Sequence, residues 1–217
     1  MYSFNLGEKM FIGISGIIGA GKTTLTTNLA KELDYPTYYE PVKENAYLTD
    51  FYADPKRWGA MMQFYLLAKR FEQHQQIVWN GTGNAVQDRT IYEDTIFAEM
   101  LFEDGLIDKR DYDTYISHFN VMKRYLVYPD AIIYLEVSHE VAMQRIAKRG
   151  RSMEKTISID YLKSLEEGYN KFLDDMSQWT TVIRVDYNEY QPVEKFLKLI
   201  KEKIPKENNF FRSLRKI

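Results

Sequence analysis

The sequence predicts a three-layer α/β/α fold around a five-stranded parallel sheet, and three observations predict it. The first is Gly16-Ile17-Ile18-Gly19-Ala20-Gly21-Lys22-Thr23-Thr24, which satisfies the phosphate-loop pattern G-x-x-x-x-G-K-[ST] in full. The second is its setting. A short apolar run ending at Ser15 precedes it, and Leu25, Leu29 and Leu33 follow on one helical face. The third is the alternation of short apolar runs with longer helix-periodic stretches, the pattern of parallel strands joined by helices on both faces. Together they indicate a P-loop NTPase-type domain with an arginine-rich lid.

Taken in order, the first strand is expected over Met10 to Ser15 and the first helix to about Leu33. Asp34-Tyr35-Pro36 reads as a turn, and Thr37-Tyr38-Tyr39 as a second strand that delivers Glu40-Pro41. A short helix is expected over Asn45 to Tyr52. Pro55 opens a long one to about Trp79, with Trp58, Met61, Met62, Tyr65, Leu66 and Phe71 as its apolar stripe. Asn80 to Asn84 is a turn cluster, and Ala85-Val86-Gln87 is a strand ending at Asp88-Arg89. Helices follow over Tyr92 to Phe102 and Lys109 to Tyr128. Ala131 to Val137 is the clearest strand. A helix over Glu140 to Lys148 leads to Arg149-Gly150-Arg151, opening a lid at about 145–157. A helix over Asp160 to Met176, a strand over Thr180 to Val185 and a helix over Val193 to Ile204 complete one domain spanning 1–217. The polar tail 205–217 carries Phe210-Phe211 and reads as a mobile end or a docking strip.

The chain has 217 residues, a length that suits one domain, and 45% are hydrophobic, enough for a sizeable core. A net charge of −2 gives no electrostatic case for nucleic acid or a membrane surface. The absence of cysteine excludes disulfides and thiolate metal sites. No apolar run approaches the roughly 20 residues of a membrane span. Met1 to Lys9 lacks the apolar core of a signal peptide, so a cytoplasmic location is expected.

In such sheets ligands bind beyond the C-terminal strand ends, which puts the loop, Glu40 and Asp88-Arg89 on one rim. Glycines let loop N–H groups surround a phosphate, and the helix N-terminus adds partial positive charge. Lys22 supplies a cation and Thr23 a hydroxyl for Mg²⁺, so a nucleoside triphosphate is the expected ligand. Glu40 is either a solvated strand-end carboxylate or a base for an attacking hydroxyl. Asp88-Arg89 is either a structural ion pair or a Mg²⁺-supporting carboxylate beside a phosphate-binding arginine. Arg145, Arg149 and Arg151 are either favourable charges at a helix C-terminus or lid cations for a transferring phosphoryl group.

The loop, Tyr39-Glu40-Pro41-Val42, the stretch Trp58 to Arg70, Asp88-Arg89-Thr90-Ile91-Tyr92-Glu93-Asp94 and the Arg-x-x-x-Arg-Gly-Arg run resemble, in order and spacing, the deoxynucleoside kinases. The resemblance covers about residues 10 to 190 and is nearest the bacterial deoxyadenosine kinase branch. It implies ATP and Mg²⁺, Glu40 as the base for the 5′-hydroxyl, Arg89 beside it, and Asp88 with Thr23 at the metal. It implies Tyr52 and Glu154 at the sugar, and Asp186 to Tyr190, with Asp186 and Tyr187 foremost, near the adenine of ATP. It also implies a homodimer through helices of the Tyr92 to Tyr128 region.

The base pocket is expected from Gln63, Arg70, Asp94 and Phe97. Gln63 offers a donor and an acceptor for bidentate reading of adenine or cytosine. Arg70 lies seven residues on, on the same helix face, and can pair with Asp94. In the resembled family that pair accompanies deoxyadenosine, deoxyguanosine and deoxycytidine. The expected acceptor is therefore a small deoxynucleoside, with deoxyadenosine favoured. Two rivals differ in class. A monophosphate kinase, such as a thymidylate kinase, needs cations at the acceptor phosphate, where Glu40 is a poor neighbour. A nucleotide-dependent switch wants an Asn-Lys-x-Asp guanine reader. Here Asn170-Lys171 is followed by Phe172-Leu173, so that pattern is absent.

Overall fold

In the computed structural model, which describes residues 9–41, 45–151, 154 and 156–204, the strand ahead of the loop is the middle of the sheet. All residues of β1 (Phe11–Ser15) are buried, as an apolar strand covered on both faces must be. The others are β2 (Thr37–Tyr38), β3 (Ala85–Asp88), β4 (Ala131–Glu136) and β5 (Thr181–Asp186). Every pairing is parallel, in the order β2-β3-β1-β4-β5. The register sets Ile14 beside Asp88 and Tyr38 beside Gln87, so the ends of β1, β2 and β3 form the expected rim.

The helices are α1 (Lys22–Leu33), α2 (Leu48–Ala53), α3 (Pro55–Gln75), α4 (Asp94–Glu103), α5 (Lys109–Lys123), α6 (His139–Arg149), α7 (Ile159–Met176) and α8 (Val193–Lys203). α1 packs against α8, whereas α3, α4, α5 and α7 pack on one another as the other layer. The main core joins β1 and β4 to Leu25, Leu29, Leu162, Leu165 and Phe196 from these layers.

Side-chain caps begin most of the long helices. Asp54 accepts from Arg57 N at 3.1 Å ahead of Pro55, and Asp108, Ser138 and Ser158 do the same for α5, α6 and α7. At the start of α1 stands Gly21 instead, with φ 96° and no side-chain cap. The first N–H groups of α1 are thereby left for a ligand.

The structure departs most from the sequence-based spans at the ends of two helices. α3 ends at Gln75 and continues as one wide π-helical turn, Gln76–Asn80. α5 ends at Lys123, five residues short of the expected Tyr128. Pro129 disfavours helical backbone at the residue before it. The backbone N–H of Val127 donates instead to His74 Nε2 at 3.0 Å. The tail 205–217, Val42 and Met153 lie outside the described residues.

Candidate functional site

The loop turns on Gly16, Gly19 and Gly21, with φ of 149°, 86° and 96°. Gly19 is needed for space as well as conformation, because a Cβ there would lie 2.5 Å from Ala142 O on α6. Ile17 and Ala20 anchor the loop in the core, Ile18 is half-buried and Thr24 exposed. Lys22 is buried, and its Nζ donates to Gly16 O and Ile17 O at 3.0 Å each. Burial, and Arg89 nearby, lower it to about 8, while Asp88, Glu40 and Glu93 pull the other way. It is therefore charged at neutral pH.

Thr23 Oγ1 donates to Asp88 Oδ2 at 2.5 Å, which joins α1 to the end of β3. The other oxygen of Asp88 is buried with no hydrogen-bond partner among the described residues. Burial raises the Asp88 carboxyl, against the pull of Lys22. A hydroxyl bonded to a carboxylate with one orphaned oxygen fits a Mg²⁺ ion held largely by phosphates and water. No cluster of three or more acidic, His or Cys ligands exists among the described residues to hold a metal unaided.

Glu40 stands at the end of β2, next to Pro41. Its strand end is tied down by Gln73, whose Nε2 donates to Tyr39 O at 2.8 Å and whose Oε1 accepts from Gln87 Nε2 at 3.1 Å. Two buried arginines bracket the carboxylate. Arg70 Nη2 donates to Glu40 Oε1 at 2.9 Å, and Arg89 Nε lies 3.3 Å from the same oxygen. Burial alone would raise Glu40, but Arg89, Arg70 and Lys22 outweigh it and hold the carboxyl at about 2. Arg70 also donates from Nε to Asp94 Oδ1 at 2.5 Å and from Nη1 to Arg89 O at 3.0 Å. The expected Arg70–Asp94 pair thus exists, and it reaches the strand-end carboxylate as well. Burial pushes Asp94 up to about 7 against the pull of Arg70.

Two residues that the sequence reading does not single out support Arg89. Glu93 is buried, accepting from Ser15 Oγ at 2.7 Å and Thr90 N at 2.8 Å. It closes a capping box with Thr90, and the Thr90-x-x-Glu93 spacing is its sequence signal. Tyr169, on α7, accepts from Arg89 Nη1 and donates to Glu93 Oε2 at 2.8 Å. Arg89 itself has φ 66°, an uncommon backbone for a residue with a side chain.

Around this centre lie the expected acceptor residues. Gln63 is buried, and its Oε1 has no partner among the described residues. Burial raises the Tyr52 phenol, as do Tyr161, Glu154 and Glu40 close by, so it stays a hydrogen-bond donor. Phe97 carries Arg89 on one face, with the guanidinium carbon 4.5 Å from the ring centroid. Glu154 is buried in bonds to Arg149 Nη2 at 2.6 Å and Arg151 Nη1 at 3.1 Å. The lid arginines and the expected sugar carboxylate are therefore brought together, as one cluster.

Arg145 is engaged by the backbone of the protein itself. Its spacing from Arg149 suggested a cation for a transferring phosphoryl group. Its Nη1 instead donates to Ala20 O at 2.9 Å and its Nη2 to Tyr187 O at 2.8 Å and Asn188 O at 3.0 Å. Three carbonyls hold it as a clamp between the back of the phosphate loop and the loop after β5. Its guanidinium lies 4.5 Å from the Tyr190 ring centroid. Asp186 is likewise turned onto its own loop, accepting from Asn188 N at 3.0 Å and Asn188 Nδ2 at 2.9 Å. Tyr187 is buried against Gly21, where a Cβ would meet its ring at 3.1 Å. These residues shape the rim by packing.

The family model described as deoxynucleoside kinase matches residues 12–208. A deoxyadenosine kinase of Dictyostelium discoideum is 50% identical over 194 residues, covering 89% of this chain and 79% of that one. A deoxyadenosine/deoxycytidine kinase of Bacillus subtilis is 42% identical over 176 residues, covering 80% and 81%. Among solved structures, deoxyadenosine kinase from M. mycoides with bound dCTP superposes with a TM-score of 0.75 at 34% identity, covering 95% of this chain and 99% of that one.

Proposed function

This chain belongs to the deoxynucleoside kinase family, and we propose that it transfers the γ-phosphoryl group of ATP to the 5′-hydroxyl of a deoxynucleoside, deoxyadenosine foremost, in nucleotide salvage. One observation carries the reading: an ionised carboxylate, Glu40, gripped by two buried arginines on the rim that holds the phosphate loop. A hydroxyl acceptor needs such a base. A phosphate acceptor would be repelled by it.

In the reaction Glu40 accepts the proton of the 5′-hydroxyl as the bond from that oxygen to phosphorus forms and the bond to the ADP oxygen breaks. The loop N–H groups and Lys22 hold the outer phosphates, with Lys22 leaving its two carbonyls to do so. Arg89, and Arg149 with Arg151 on the lid, spread positive charge over the transferring group. Thr23 and Asp88 would hold Mg²⁺, which would neutralise charge on the outer phosphates when bound. Tyr52 and Glu154 take the 3′-hydroxyl, and Gln63 with the Arg70–Asp94 pair reads the base. The orphaned acceptor on Gln63 matches the exocyclic amine of adenine. Deoxyadenosine is in the names of both the 50% and the 42% identical relatives, the second adding deoxycytidine, which supports deoxyadenosine first.

Three finer points belong to the same reading. The chain works in the cytoplasm, where salvage substrates and ATP meet. It pairs as a homodimer through the α4–α5 region, whose end exposes Val121 and Tyr125. Its lid closes over the phosphates. The test is a panel of the four deoxynucleosides with ATP and Mg²⁺, alongside dAMP and dTMP, compared as kcat/KM. Deoxyadenosine should lead. Turnover of a monophosphate above every nucleoside, or no transfer to any of them, overturns the proposal.

A further inference from the structure

Arg89 makes its closest side-chain contact with a phenol, not with a carboxylate. Tyr169 Oη stands between the guanidinium and Glu93: it accepts from Arg89 Nη1 and donates to Glu93 Oε2 at 2.8 Å, while Nη1 and Oε2 are 3.9 Å apart. Glu93 cannot shift to meet the arginine. Its Oε1 is tied to Ser15 Oγ and Thr90 N, and Thr90 N–H belongs to the backbone. Tyr169 is fully buried, and its ring packs on Tyr134 with centroids 5.3 Å apart.

α7 also comes unusually close at this point. Gly168 lies inside the helix, where glycine is unfavourable by about 1 kcal/mol against alanine. A Cβ on it would fall 2.6 Å from Ile96 Cγ2 on α4. That methyl is bonded directly to a branched Cβ and cannot swing aside as a long side chain can. The glycine thus permits the approach that carries the next residue, Tyr169, to Arg89. Two turns earlier the same helix carries Tyr161, near enough to Arg89 and Glu40 to feel their charge, and the Glu154 cluster shortly precedes it.

From this we propose that Tyr169 is a positioning residue for phosphoryl transfer. Its hydroxyl holds the Arg89 guanidinium out from Glu93 and toward Glu40, 3.3 Å from Arg89 Nε, with the spacing set by Gly168. Interposing a neutral hydroxyl keeps the Arg89–Glu93 ion pair long, at 3.9 Å, and out of hydrogen-bond contact. The cation stays aimed at the base and the transferring group. This inference rests on the kinase reading above.

The experiment begins with the unchanged chain and deoxyadenosine, ATP and Mg²⁺; absence of transfer there is a failure of the kinase reading alone. With activity in hand, Tyr169→Phe keeps the ring and removes the hydroxyl. Arg89 then relaxes onto Glu93, and kcat falls about 10- to 100-fold while KM for deoxyadenosine stays within about threefold. Gly168→Ala keeps the hydroxyl and pushes α7 from α4, and it lowers kcat in the same sense. Circular dichroism and thermal melting show each variant folded at the assay temperature. A folded Tyr169→Phe with parental kcat overturns the inference, and so does one whose loss lies in KM. Should that variant fail to fold, a folded Gly168→Ala with parental kcat overturns it equally.

Discussion

A carboxylate that is to take a proton must be ionised first, and Glu40 is made so by its neighbours. Arg89, Arg70 and Lys22 hold it well below the ordinary carboxylate range, so it is ionised at neutral pH. Its low basicity suits a reaction in which the proton leaves the hydroxyl late, when the bond to phosphorus is largely made and the oxygen has become acidic. Glu40→Gln keeps the shape and the contact to Arg70 while removing the basic oxygen. Turnover should fall by about 10² to 10⁴, the usual worth of a general base, with deoxynucleoside affinity little changed. Steady-state kinetics and equilibrium binding of deoxyadenosine measure the two effects separately. A variant that turns over at near the parental rate would remove Glu40 from the base role. Most of this centre is legible in the sequence because loop, Glu40 and Asp88-Arg89 end adjacent strands. Tyr169 is not, because it lies 80 residues from Arg89 and nothing in a helical period tells which buried tyrosine meets which arginine. Its one local sign is the glycine inside an otherwise regular helix.

Among the elements, the loop and α6 show how a close approach fixes geometry. Ala142 O of α6 stands where a Cβ on Gly19 would fall, so α6 packs closely on the loop and carries Arg149 at its end. Gly19→Ala combines two costs, a left-handed backbone at φ 86° and a Cβ 2.5 Å from a carbonyl oxygen. Gly105→Ala separates them, since Gly105 has φ 68° and nothing within 4 Å of the added carbon. Gly105→Ala should cost only the backbone part, about 1–2 kcal/mol, and leave KM for ATP unchanged. Gly19→Ala should destabilise further and raise KM for ATP. Denaturant melts and ATP titration decide it, and equal behaviour of the two variants would refute the role given to the α6 contact. The same elements mark where sequence periodicity stops informing. Spacing puts Arg145 and Arg149 on one face, and that is correct. It does not show that the face wraps the loop, so that Arg145 meets three carbonyls while Arg149 meets Glu154. The end of α5 is hidden from the sequence for a similar reason: apolar spacing continues to Tyr128, but the N–H of Val127 donates to a histidine of another helix.

Across the whole molecule the two ends of the sheet respond to acid differently. The C-terminal strand ends carry the charged site, where Glu40 is held at about 2 and burial lifts Asp94 to about 7. The N-terminal ends carry His74, buried between α3 and β1. Its Nε2 accepts from Val127 N, and its ring sits edge-on to Phe11 with centroids 5.9 Å apart. As an acceptor at Nε2 it must be neutral there, and burial lowers it to about 4 from an ordinary value of 6.5. The sign follows from proton counting. Between pH 6.5 and 4 the unfolded chain binds a proton at His74 that the folded one refuses, so this residue subtracts stability as pH falls through that window. The loss approaches about 3 kcal/mol by pH 4 and stops growing below it. His74→Gln offers Val127 an amide oxygen that does not titrate. Its unfolding free energy relative to the parent, from urea melts at pH 7 and pH 4, should therefore improve by about 3 kcal/mol on acidification, whatever its offset at neutral pH. A difference that stays constant between the two pH values would mean that His74 accepts a proton within the fold.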